Sequence, residues 1–116
     1  MFGMSGSRKV RDLSPAEVKQ GLVGDTILLV DVREIAEFEA ERIAGAINIP
    51  LSTFDPAKLP DPGGRTLVMQ CGSGKRSASA VERCQKAGHE FDAHLAGGIM
   101  AWKAAGLPTV TGPLRG

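Results

Sequence analysis

Six consecutive residues, Cys71-Gly72-Ser73-Gly74-Lys75-Arg76, hold the groups in this chain best suited to chemistry. The apolar run Thr66-Leu67-Val68-Met69 precedes them, and a helix-like segment, Ser77 to Ala87, begins where they end. A cysteine at a strand's exit, followed by a short glycine-containing loop and a helix start, faces converging backbone N–H groups and the positive end of a helix. Lys75 and Arg76 add two full charges. Thiolate is the reactive form of cysteine, and such surroundings favour it. Cys71 is therefore read as a nucleophile.

The energetics are reasonable. An unassisted thiol is only about 3% ionised at pH 7. Lowering its pKa by ~2 units takes roughly 2.7 kcal/mol. A helix terminus supplies about 0.5–2 kcal/mol, and N–H donors with a nearby cation supply the remainder. No histidine is needed to deprotonate Cys71. The loop must curl tightly, which Gly72 and Gly74 tolerate.

Around this loop the chain reads as an alternation of strands and helices. Val10 to Leu13 suits a short edge strand, and Ser14-Pro15 an N-cap and first helical residue, with Gly21 near that helix's end. Thr26 to Val32 is a continuous apolar run, as in a strand buried on both faces. Glu34 to Arg42 has helical spacing, with Ile35 and Phe38 inward and Glu37, Glu39 and Glu41 on a solvated face. Ala46 to Ile49 is a short strand, 51–64 a loop with one helical turn, Thr66 to Gln70 the strand that delivers Cys71, and Asp92 to Leu95 a further strand. Gly97-Gly98 turns into a helix carrying Trp102, and the tail from Gly106 to Gly116 reads as irregular. The sum is an α/β domain with a mostly parallel sheet. Ligands of such sheets bind beyond the strands' carboxyl ends, where Cys71 and Asp31-Val32-Arg33 both fall.

Composition narrows the classes. The chain has 116 residues, 42% of them apolar, and a formal net charge of +1, so bulk electrostatics favour neither nucleic acid nor a membrane surface. Cys71 and Cys84 are the only cysteines, too few for a disulfide framework and too far apart for a C-x-x-C redox pair. No stretch reaches the ~18 apolar residues of a spanning helix, and the start lacks a signal-like apolar segment, so a reducing cytoplasm is expected. Residues 1–7 are expected to be flexible, 8–110 to form the domain, and 111–116 an irregular tail.

Four segments, in order and at the required spacing, resemble the rhodanese family. They are Asp31-Val32-Arg33-Glu34 with Glu37-Phe38; Gly45-Ala46-Ile47-Asn48-Ile49-Pro50; Cys71 through Ser77; and Leu95-Ala96-Gly97-Gly98-Ile99 through Trp102 with Ala105-Gly106-Leu107-Pro108. The resemblance implies a rhodanese-like five-stranded, mostly parallel sheet flanked by helices on both faces. It implies a sulfurtransferase without a cofactor, in which Cys71 takes the outer sulfur of thiosulfate or another sulfane donor as a persulfide. Cyanide, a thiol or another protein would then accept that sulfur. Gly72, Ser73, Gly74, Lys75, Arg76 and Ser77 would form the persulfide site, with backbone N–H groups from Gly72 to Arg76 directed at the sulfur. Lys75 would attract an anionic donor. Arg76 either enters the pocket or, as favoured here, turns to a carboxylate at the Asp31/Glu34 edge, with Asp31, Arg33 and Glu34 in supporting roles. Many relatives carry Gly-His where this chain has Glu41-Arg42, so no catalytic histidine is expected there.

Other readings stand beside this one. A protein-to-protein sulfur relay uses the same loop. A cysteine phosphatase or arsenate reductase resembles C-x5-R, whereas this loop is C-x4-R, a tighter ring better suited to a sulfur atom. Cys84 lies on the apolar stripe of its helix and reads as core. His89 and His94 with the cysteines lack zinc-ligand spacing, so no metal is expected. Asp31 and Arg33 read equally well as a structural ion pair.

Overall fold

The computed structural model describes residues 9–113. Its main sheet is built from β1 (Arg11–Leu13), β2 (Ile27–Asp31), β4 (Ile47–Asn48), β5 (Thr66–Gln70) and β6 (Ala93–Leu95). The order is β1-β6-β5-β2-β4 and every pairing is parallel. Helices α1 (Pro15–Val23), α2 (Ile35–Ala40), α3 (Lys75–Lys86) and α4 (Gly98–Ala104) supply the crossovers. Ser14 caps α1 as expected: its Oγ accepts from the Glu17 amide while Glu17 accepts from the Ser14 amide. The segment between β4 and β5 holds two short 3-10 turns, Leu51–Thr53 and Pro56–Lys58, rather than one.

Side-chain alternation along the central strands divides the core into two layers. Ile27, Leu29 and Val68 point to the side of Val18, Ile99 and Trp102. Leu28, Val30, Leu67, Met69 and Cys71 point to the other side, against Ala80, Val81 and Cys84 of α3. Because side chains alternate with period two, the register of β5 alone assigns Cys71 to the α3 side. All five residues of β2 are buried, as its unbroken apolar run requires.

Three expectations need correction. The pattern spanning Glu34 to Arg42 is helical only over Ile35–Ala40; Glu41 is extended, at φ −160° and ψ 137°. There the Arg33 guanidinium donates to the Glu41 carbonyl, and Arg42 donates to the carbonyls of Phe38, Glu39 and Gly112, so the chain turns out of the helix. Ile35 is 57% exposed rather than inward, while Phe38 is buried. The tail contains an ordered strand, β7 (Val110–Thr111), antiparallel to β3 (Glu41–Arg42). Residues 1–7 lie outside the described residues. Among the described residues no helix is long and apolar enough to cross a membrane.

Candidate active site

β5 ends at Gln70 and hands Cys71 to the loop; α3 begins at Lys75, with Gly74 as its N-cap at φ 104°. The Cys71 Sγ accepts hydrogen bonds from the amides of Gly74 at 3.1 Å and Ser77 at 3.3 Å, and lies 3.6 Å from the Ser77 hydroxyl. Burial pushes the thiol pKa up. Hydrogen bonds from the Ser77 hydroxyl and from the amides of Ser77, Gly74 and Ser73 outweigh that, and the pKa falls below its ordinary value. Cys71 itself has 0% exposure, so its ionisation is set wholly by protein groups.

The glycine pair after β6 shapes this loop. Gly98 has φ 62°, and a Cβ there would collide with the carbonyl oxygen of Cys71. This close approach lets the Ile99 amide donate to the Cys71 carbonyl at 2.8 Å and the Met100 amide to the Gly72 carbonyl at 3.1 Å. In a trans peptide, C=O and the following N–H point in opposite directions. Anchoring the Gly72 carbonyl on α4 therefore turns the Ser73 amide back towards the sulfur.

The predicted site residues fall into distinct places. Ser73 and Lys75 are exposed on the rim, Gly74 and Ser77 are buried against the sulfur, and Gly72 and Arg76 are partly buried. The amides reaching the sulfur are those of Ser73 and Gly74, from within the Gly72–Arg76 run, and that of Ser77, just beyond it. Arg76 turns away to a carboxylate, but the partner is Glu37, one helical turn beyond Glu34, in a paired contact of 2.8 and 3.1 Å. Glu37 is thus not on a free solvated face, and the Arg76 guanidinium holds its carboxyl at about 2. Hydroxyl and amide donors are the main groups that depress Cys71, and the Arg76 charge, although paired with Glu37, also acts on the sulfur.

Asp31 and Arg33 form a buried pair: Asp31 accepts from the Arg33 amide, Nε and Nη2 and from the Gln70 side chain. Glu34 accepts from the Ser52 hydroxyl at 2.6 Å. These three brace the ends of β2 and β5 rather than touch the sulfur. Cys84 lies in the same apolar layer as Cys71, and burial pushes its thiol up to about 11. Trp102 packs in the opposite layer and donates to the Pro108 carbonyl at 2.8 Å.

Two residues absent from the expected site stand directly behind it. His94 Nδ1 is 2.8 Å from Ser77 Oγ, and His94 Nε2 is 2.8 Å from Asp12 Oδ1. A signal for them exists in the sequence. A histidine between Ala93 and Leu95 in a strand needs polar partners, although only the β1–β6 register shows that Asp12 is one of them.

Comparison with known proteins agrees with this geometry. The family model described as Rhodanese-like domain matches residues 14–105. An uncharacterized protein of Synechocystis sp. is 45% identical over 98 residues, covering 84% of this chain and 55% of its own length, so the chain spans about half of that relative. A sulfurtransferase of Allochromatium vinosum is 32% identical over 102 residues, covering 87% of this chain and 95% of the relative. The crystal structure of a rhodanese-related protein from Thermoplasma volcanium superposes with a TM-score of 0.74 at 31% identity, covering 86% of this chain and 97% of the other. The parallel sheet, the cysteine loop at its carboxyl edge and these matches together establish that the chain belongs to the family of rhodanese-like domains.

Proposed function

We propose that the protein is a sulfurtransferase that carries sulfane sulfur as a persulfide on Cys71. The observation that carries this is the sulfur's setting, with amide and hydroxyl donors directed at an otherwise buried thiol at the start of α3. In the first half-reaction the thiolate attacks the outer sulfur of thiosulfate or a similar anionic donor. An S–S bond forms on Cys71, the donor's S–S bond breaks, and sulfite leaves with the electron pair. In the second, cyanide, a thiol or a protein thiolate attacks the outer sulfur and Cys71 leaves as thiolate. The amides that hold the free thiolate are placed to hold that leaving group too. Lys75, exposed beside the loop, draws in the anion. The name of the Allochromatium relative supports sulfur transfer.

A protein-to-protein relay is the same chemistry with a different donor, and one observation favours it. Met100, whose amide binds the Gly72 carbonyl, is 65% exposed, which puts an apolar side chain beside the loop for a partner to cover. An oxyanion-cleaving reading fares worse, because Arg76 is occupied by Glu37.

Intact-mass measurement tests the proposal. Incubation with thiosulfate adds one sulfur to the wild-type chain and none to Cys71→Ser, and a protein persulfide donor does the same if the relay operates. No adduct from any sulfane donor refutes the assignment.

A further inference from the structure

The hydrogen-bonded line behind the loop has a direction that elementary bonding rules fix. A carboxylate only accepts, so His94 Nε2 must carry a proton to bond Asp12 Oδ1 at 2.8 Å. In the neutral imidazole Nδ1 is then an acceptor, and the Ser77 hydroxyl must donate to it across 2.8 Å. That leaves the Ser77 oxygen free to accept from the Cys71 thiol at 3.6 Å. The competing acceptor for the Ser77 hydroxyl, the Gly74 carbonyl, is farther away at 3.2 Å. Every member except Asp12 is buried: Cys71 and Ser77 at 0% and His94 at 6%, whereas the Asp12 side chain is 72% exposed. The line therefore runs from a thiol with no exposed surface to a carboxylate in water, on the β1 side of the sheet.

We infer that Cys71, Ser77, His94 and Asp12 form a proton-transfer chain that removes the thiol proton through the back of the site and returns it when the thiolate is freed. The inference rests on Cys71 acting as the sulfur carrier. In the forward step the S–H bond of Cys71 breaks as Ser77 receives that proton and passes its own to His94 Nδ1. The products are a thiolate and an imidazolium, with no proton gained or lost overall. Ser77 then directs its new O–H at the thiolate, and Asp12 balances the imidazolium. After the acceptor has taken the outer sulfur, the same shifts in reverse restore the thiol. This explains how a thiol sealed from solvent can ionise while an anionic donor covers the front of the loop.

The groups facing His94 are few. β1 offers Asp12, and α3 offers Ser77 with Cys71 beyond it. The β5 residue in register with His94 is Met69, and α4 packs through Ile99 and Trp102 on the opposite layer. Other nearby charges are engaged or outward: Arg11 binds Asp92, Arg76 binds Glu37 and Lys75 is exposed.

The test is the pH titration of Cys71 by thiolate ultraviolet absorbance, with Cys71→Ser as the blank. It needs no access to the sulfur. His94→Asn keeps a polar side chain near Ser77 but cannot store a proton. Its titration moves to higher pH by about one unit, equal to roughly tenfold less thiolate at a fixed pH below the midpoint, and persulfide loading slows in step. Asp12→Asn, at an exposed position that spares the fold, still accepts from Nε2 but no longer balances the imidazolium; its midpoint moves the same way by a smaller amount. Ser77→Ala follows His94→Asn. If both His94→Asn and Asp12→Asn titrate like the wild type, the chain is overturned and His94 is a structural residue. If the wild type never loads sulfur while its titration still depends on His94 and Asp12, the chain stands and the sulfurtransferase reading falls.

Discussion

Replacing Glu37 by Gln separates the scaffold of the loop from its chemistry. Glu37 makes two contacts with Arg76, at 2.8 and 3.1 Å, and its Oε1 also accepts from the Glu34 amide at 2.9 Å. Gln keeps one acceptor but turns an NH2 group towards a guanidinium that has only donors, and it removes the charge. The folded carboxyl titrates at about 2, against 4.5 when unperturbed. Taken at face value, that shift corresponds to about 3 kcal/mol. The two side chains are 37% and 42% exposed, so solvent screening reduces the figure to about 1 kcal/mol.

The sign follows from the depressed pKa. The contribution is fully present above pH 4.5 and is lost as pH falls through about 2. Urea denaturation of wild type and Glu37→Gln should therefore differ near neutral pH, with midpoints separated by about 0.5–1 M. The gap should narrow as pH drops below 4.5 and approach zero near 2. Comparing the two chains at each pH cancels the titration of every other shared group. Persulfide loading per folded molecule should not fall, because Arg76 makes no hydrogen bond to the sulfur and its unpaired charge still favours the thiolate. A gap that stays constant with pH refutes the ion-pair argument. Lost loading in a stably folded variant refutes the purely supporting role of Arg76.

Gly98→Ala should disrupt the loop from the outside. A positive φ of 62° costs an L-residue about 1–2 kcal/mol, and the Cβ collides with the Cys71 carbonyl. Thermal unfolding should show a loss of about 3 kcal/mol together with slower sulfur loading, since the Ser73 amide loses its orientation. Cys84→Ala should lose about 1 kcal/mol of stability through one missing buried atom and keep full loading, as expected of a thiol that titrates at about 11. Lys75→Ala should raise the KM for thiosulfate severalfold with kcat held, and the difference should shrink as salt increases.

The parts of this fold legible in the sequence are those determined by neighbours along the chain. Thr26 to Val32 and Thr66 to Gln70 announce buried parallel strands because each is an apolar run of strand length, and both appear, as Ile27–Asp31 and Thr66–Gln70. Ser14-Pro15 announces a helix start because cap and first-turn chemistry lie within four residues. Contacts between distant segments were not legible. Periodicity carries the helix of α2 on to Arg42, but the backbone leaves it where Glu41 and Arg42 pair with Thr111 and Val110, some 70 residues away. The sequence points Arg76 to a carboxylate at the Asp31/Glu34 edge, and its partner, Glu37, differs from Glu34 by the three residues of one helical turn. That choice depends on the packing of α2 against the loop. His94 is the sharpest case. Its two polar partners lie 82 and 17 residues away: the parallel register of β1 with β6 brings Asp12 to it, and the packing of α3 on the sheet brings Ser77.

The same two helix starts explain how one loop can be both closed and reactive. α3 turns amides of its first turn to the sulfur, whereas α4 binds the carbonyls of Cys71 and Gly72 and so fixes which way their peptide planes face. Neither helix works alone: without α4 the Gly72 carbonyl is free to rotate towards the thiolate, and a carbonyl oxygen there repels the charge that the amides attract. Ionisation of Cys71 is thereby determined behind the sulfur, by groups that are mostly buried. On the proposed function, encounter with donor and acceptor takes place in front of it, where Ser73, Lys75 and Met100 are exposed. Substitutions at those three positions should change which donor is used, through KM, while leaving the thiol titration where it was. Substitutions at Gly98 or Ser77 should move the titration itself. A rim substitution that shifted the titration as far as Ser77→Ala would show that the two halves of the loop are not independent, and the division of roles between α3 and α4 would fail with it.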